Sequence, residues 1–96
     1  MEFEFDPTKD EANRFKHGLR LSHGKRVFDD PFHRILPSFR EQDGENRYKA
    51  VGMVDRKLHT AIYTLRDHIV RLISVRRSNS SEQRDYDRNY GRSERP

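Results

Sequence analysis

The stretch that decides the fold is residues 47–77, RYKAVGMVDRKLHTAIYTLRDHIVRLISVRR. Arg47 to Val54 reads as a strand carrying Ala50, Val51, Met53 and Val54, and Asp55-Arg56 makes a tight turn after it. Leu58 to Leu65 alternates: Leu58, Thr60, Ile62 and Thr64 share one face, His59, Ala61, Tyr63 and Leu65 the other. Arg66-Asp67 reads as the next turn. His68 to Val75 is a third strand, with Ile69, Val70, Leu72, Ile73 and Val75. Turns this short join antiparallel neighbours, since a parallel pair needs a long crossover, so the three strands form a meander. The third is apolar on both faces and is expected at the centre of the sheet.

Towards the N-terminus, Phe3-Glu4-Phe5 alternates as a short strand. Asp6 is placed to cap a helix, with Pro7 at the first helical position, where its missing N–H is harmless. That helix is expected from Pro7 to about His17, with Ala12, Phe15 and then Leu19 on its apolar side. Lys16 and His17 suit the last turn, where the helix dipole favours a cation, and Gly18 suits the left-handed stop. Ser22 reads as the cap of a second helix over His23 to Asp29, ended by Asp29-Asp30-Pro31, although Gly24 inside it lowers its propensity. Ile35-Leu36 fits a brief strand before Pro37, and Glu41 to Asn46 has the composition of a turn.

Beyond the meander, Asn79 with Glu82, or Ser80 with Gln83, has capping-box spacing for a last helix carrying Tyr86 and Tyr90. The whole reads as one α+β domain over residues 1–90, in the order β-α-α-β-β-β-β-α, with helices packed on one sheet face. Residues 91–96 are expected to form a flexible tail.

With 96 residues, of which 31% are hydrophobic and 38% charged, the core is thin, yet six Phe and four Tyr argue against disorder. Such a chain is expected to be more stable with a partner bound. The formal net charge is +4 and the pI about 9.7. Lysine stands only at 9, 16, 25, 49 and 57; the other cations are arginines, whose forked donors match phosphate or carboxylate oxygens. The balance points to nucleic acid or an acidic protein. No cysteine is present, so disulfides and thiolate metal sites are excluded. No apolar run approaches the ~20 residues of a membrane span, and the acidic start has no signal-peptide core, so the expected location is cytoplasmic. P-loop, dinucleotide-binding and nucleophilic-serine motifs are absent.

Several residues invite a chemical reading beside a bland one. Arg76-Arg77 is either a solvated strand end or a clamp on a phosphorane; alternation lets at most one face a given cleft. His17 is either a helix-end partner or a general acid or base, kept neutral by Lys16. Glu45 and Arg47 are a cross-turn ion pair or a proton-transfer carboxylate beside a phosphate-holding arginine. Tyr63 and Arg66 are core and turn residues, or a base-stacking ring and a phosphate contact. Tyr86 and Tyr90 pack a helix on the sheet, or offer a partner-binding surface. The histidines at 23, 33, 59 and 68 have no tight ligand spacing, so no metal is expected.

Phe3-Glu4-Phe5-Asp6 with Lys9, Asn13 and Lys16-His17-Gly18 resembles the opening of the BrnT family of ribonuclease toxins. Val27-Phe28-Asp29-Asp30-Pro31, Gly44-Glu45-Asn46-Arg47 leading to Gly52, Tyr63-Thr64, and Arg71 to Arg77 continue the likeness over residues 3–90. Phe5 stands where tryptophan is common, and Gly24-Lys25 where helix formers are expected. The resemblance implies a RelE-like fold: an antiparallel sheet with two N-terminal helices on one face and a C-terminal helix. It implies a type II toxin that cuts RNA without a metal and inhibits translation. It also implies a cognate antitoxin partner, through which alone DNA is bound, and no membrane. The implied catalytic set is His17, Glu45, Arg47, Arg66, Arg76 and Arg77, with Lys16 and Tyr63 on RNA. No cofactor is implied. The alternatives are a non-catalytic basic module that binds an acidic protein or nucleic acid, and a DNA-binding repressor, for which no recognition helix is evident.

Overall fold

The computed structural model describes residues 1–38 and 44–94, except for the side chains of 89–94. Its elements are β1 (Phe3–Phe5), α1 (Pro7–His17), a 3-10 turn (Leu21–His23), α2 (Gly24–Asp29), β2 (Arg34–Pro37), β3 (Tyr48–Val54), β4 (Lys57–Arg66), β5 (Ile69–Arg77) and α3 (Ser80–Glu94). The five strands form one sheet in the order β1-β5-β4-β3-β2. The meander is present: β3 pairs antiparallel with β4, and β4 with β5. Both of its turns place two residues at positive φ, Asp55 and Arg56 at 50° and 66°, Asp67 and His68 at 51° and 69°. Only mirror-image two-residue turns match the twist of the strands, and aspartate tolerates the left-handed region better than most side chains. The second turn therefore falls one residue later than Arg66-Asp67.

The sheet is mixed, which corrects the antiparallel expectation. β1 runs parallel to β5, pairing Phe3 with Val70 and Phe5 with Leu72. So much chain lies between these two strands that no short turn dictates their relative direction. β5 is an interior strand, but β4 holds the middle.

α1 has the expected bounds, with the Asp6 carboxylate accepting from the Thr8 N–H at 2.8 Å and Gly18 at φ 72°. Its buried side is not the expected one. Phe15 is 94% exposed, while Asp10 and Asn13 are buried. Asp10 accepts from the Leu21 N–H at 2.7 Å. Asn13 accepts from the Val75 N–H at 3.0 Å and donates to the Val75 carbonyl at 2.9 Å. β1 covers only residues 70–72 of β5, so Asn13 takes the place of a neighbouring strand beyond them.

Ser22 is no cap; it lies within the 3-10 turn. The misplaced glycine of α2 has a packing reason: a Cβ on Gly24 would lie 3.0 Å from side-chain atoms of both Leu72 and Val75. Leu21 and Val27 join Ala50, Val54, Ala61, Tyr63, Val70, Leu72 and Val75 in the core on the first face of the sheet.

α3 lies on the opposite face, contrary to the expectation that all helices share one. Its Tyr86 packs with Val51 and Leu58, which alternate with the residues of the first core. The Tyr86 hydroxyl donates to Asp30 at 2.6 Å, and the same carboxylate accepts from the Met53 and Phe32 N–H groups. Asp30 thus ties α3 to the end of β3. α3 also continues past Gly91, where the sequence reading ends it.

Candidate functional site

Strand alternation sorts the candidate residues by face. In β5 the register shifts against Ile62/Tyr63, so Ile73 is an extra residue beside Ser74. A bulge of this kind turns two successive side chains to one side. Leu72 and Val75 stay in the first core, and Ile73, Ser74 and Arg76 go to the second face with Thr60 and Ile62.

α1 meets this bulge. Lys9, Ala12, Asn13, Lys16 and His17 from the helix, with Ile73 and Ser74, line an open cavity of about 180 Å³. His17 is held below the ordinary imidazole pKa by partial burial first, then by the charges of Lys16 and Arg76. At neutral pH it is a neutral base beside two lysines, an arrangement that can hold a phosphate and accept a proton.

Arg76 is near enough for its charge to reach His17, but its guanidinium is engaged. It makes two 2.8 Å hydrogen bonds to Glu82, one to each carboxylate oxygen. Glu82 is 1% exposed. It also accepts from Lys49 Nζ at 3.1 Å, Thr60 Oγ1 at 2.9 Å and the Asn79 N–H at 2.9 Å. Burial alone would raise its pKa; Arg76, the Asn79 N–H, Lys49 and Thr60 together outweigh it and hold the carboxyl at about 2. Asn79 in turn accepts from the Glu82 N–H at 2.9 Å, which completes the capping box of α3. Of the two spacings open in the sequence, this is the one used.

Glu45 and Arg66 come together at 3.9 Å, a long and largely exposed contact. Arg66 pairs with Ile69 across the sheet, five residues from Ser74, so this pair lies about 15 Å along β5 from the cavity. Arg47 precedes β3 at the same end of the sheet and shares the second face with Lys49 by alternation. The six proposed catalytic residues therefore divide into His17 with Arg76, Glu45 and Arg47 with Arg66, and Arg77 apart.

Arg77 and Tyr63 lie on the first face. Tyr63 is 5% exposed, in ring contact with Phe28 and Tyr48 at 5.3 and 5.5 Å, and has no access to a base. Tyr86 is buried beneath α3, so it packs the helix rather than facing a partner. The Tyr90 side chain and residues 41–43 of the expected turn are outside the described residues.

Arg77 pairs across the sheet with His59, whose ring lies 4.9 Å from that of His23. Burial lowers the pKa of both histidines. Arg26 acts on His23 in the same sense, and His23 and Arg77 on His59; the Lys57 carbonyl and Asp55 oppose on His59, and Asp55 on His23. Both therefore stay neutral to lower pH in the fold than in the unfolded chain, which takes up protons below the ordinary histidine value of about 6.5. Stability from this pair is full above pH 6.5 and lost as pH falls through the folded values. Thermal melts from pH 7.5 to 5 should show a falling midpoint, and a His59→Phe variant a shallower fall.

Sequence reasoning missed Glu82 as a buried anion, Asp30 as a tie, and Lys9 and Ser74 in the cavity wall. The Asn79/Glu82 spacing was the available signal for the first; the bulge that turns Ser74 leaves none. Among the described residues no three histidine, aspartate or glutamate side chains converge as metal ligands, and no helix is long and apolar enough to cross a membrane.

Compared with known families, residues 5–82 match the model described as ribonuclease toxin, BrnT, of type II toxin-antitoxin system. No curated protein matches the chain.

Proposed function

The chain belongs to the BrnT family of ribonuclease toxins of type II toxin–antitoxin systems, and from that premise we propose that it cuts RNA without a metal ion, at the cavity between α1 and β5. Membership implies RNA as substrate and an antitoxin protein as partner. The observation that carries the reading is the neutral His17 set among Lys9 and Lys16 beside the bulge of β5.

His17 takes the proton of the ribose 2′-hydroxyl. The O2′–P bond forms, the P–O5′ bond breaks, and the departing 5′-oxygen is protonated from water. Lys9 and Lys16 offset the charge that grows on the phosphorane oxygens. Arg76 acts through its field on His17, because its own donors are held by Glu82. Loss of messenger RNA inhibits translation in the cytoplasm. The antitoxin neutralises the toxin by covering this basic surface, and DNA is bound only through the antitoxin.

Purified protein incubated with total RNA in EDTA should yield fragments ending in 2′,3′-cyclic phosphate and 5′-hydroxyl. Cleavage that appears only when a divalent ion is restored would refute the metal-free step. Stoichiometric RNA binding with no cleavage, in buffer and in a translating extract alike, would favour the non-catalytic module.

A further inference from the structure

The arginines of the second face differ in their counter-ions, and that difference assigns them different work. Arg76 is held by a fully buried carboxylate through two short bonds. Arg66 is 54% exposed, and its contact with the partly exposed Glu45 is 3.9 Å long. An exposed pair with such geometry contributes little, so a phosphate displaces the carboxylate at small cost. Arg71, on the same face, is already bonded to Glu4.

Resting on the reading that RNA is cut beside His17, we propose that Arg66 is a second phosphate station on the same strand, not part of the reacting centre. It lies about 15 Å along β5 from the cavity. A stacked strand advances about 3.4 Å per nucleotide and an unstacked one roughly twice that. Arg66 thus meets the phosphate about two to four nucleotides from the scissile bond. The site takes single-stranded RNA of some minimum length, and shorter substrates lose the distal contact. Ile62 lies between the stations and offers an aliphatic side chain, while Thr64 is buried with its hydroxyl donated to the Asn46 carbonyl, so no ring for a base to stack on stands between them. The grip is therefore on the sugar–phosphate chain.

The test is a ladder of oligouridylates from two to eight residues in EDTA, with kcat/KM read against length for the wild type and Arg66→Ala. The wild type should show a step of about tenfold between two and six residues, and the variant should lose the step. Its binding to the octamer should also depend less steeply on salt, by about 0.7 in the log–log slope. A wild-type profile flat in length, or an equal loss in Arg66→Ala at every length, overturns the distal station. If no oligomer is cut, the cleavage reading is decided by total RNA in buffer and in the translating extract. Fluorescence anisotropy of the same ladder then tests the station alone, with a step in affinity that Arg66→Ala removes expected, and a flat profile refuting it.

Discussion

Glu82→Ala is expected to lower stability by up to about 3–5 kcal/mol, the cost of breaking an ion pair whose anion is buried and whose cations are half-buried. Here two cations are stranded, since Arg76 and Lys49 both pair with this carboxylate, and the Thr60 hydroxyl and Asn79 N–H lose their acceptor as well. A domain of this size has about 5–15 kcal/mol in all, so the variant would sit near the edge of folding. At about 4–8 °C per kcal/mol, a loss of that size lowers its melting point by more than about 12 °C. Glu82→Ala combined with Arg76→Met should recover part of the loss, because the half-buried bidentate partner is no longer left without its anion. A single variant within 1 kcal/mol of wild type, in urea titrations of both, would show that the cluster does not hold α3 to the sheet. The same carboxylate sets an acid limit. Its folded pKa of about 2 lies below the unfolded value of 4.5. Its contribution is complete above pH 4.5 and is lost as pH falls towards 2.

His17→Ala is expected to reduce RNA cleavage by about 10²–10⁴-fold, the usual worth of a positioned acid–base group. Stability at neutral pH should change little, because the imidazole is neutral there and contributes no charge to the helix C-terminus. The pH profile gives a sharper reading. His17 must be neutral to accept a proton, and burial with Lys16 and Arg76 lowers its pKa. The acid limb of kcat/KM in the wild type should therefore lie below pH 6.5, and His17→Ala should abolish it. A variant that retains full activity while folded, or an unchanged acid limb, would remove His17 from the reaction.

Local rules carried most of the secondary structure. β1 and α1 lie where alternation, the Asp6-Pro7 start and Gly18 put them, because those signals act within one turn of chain. The meander follows from the shortness of its turns. Asn79 and Glu82 were visible as a spacing, and the last helix begins there.

The tertiary structure decided the rest, for reasons that no local pattern holds. Periodicity assigns an apolar face to α1 through Phe15, but the β5 edge needs hydrogen-bond partners for Val75, so Asn13 is buried and Phe15 turned out. A bulge at Ile73-Ser74 depends on the register of two strands and turns Ser74 towards His17. The availability of an arginine depends on its counter-ion: Arg76 is held by the buried Glu82, while Arg66 has a long, exposed contact with Glu45. The sequence by itself determined the elements, the family likeness and the basic character of the surface. Which cations face the same cavity was decided only by packing, because strand parity and buried ion pairing join residues far apart in the chain.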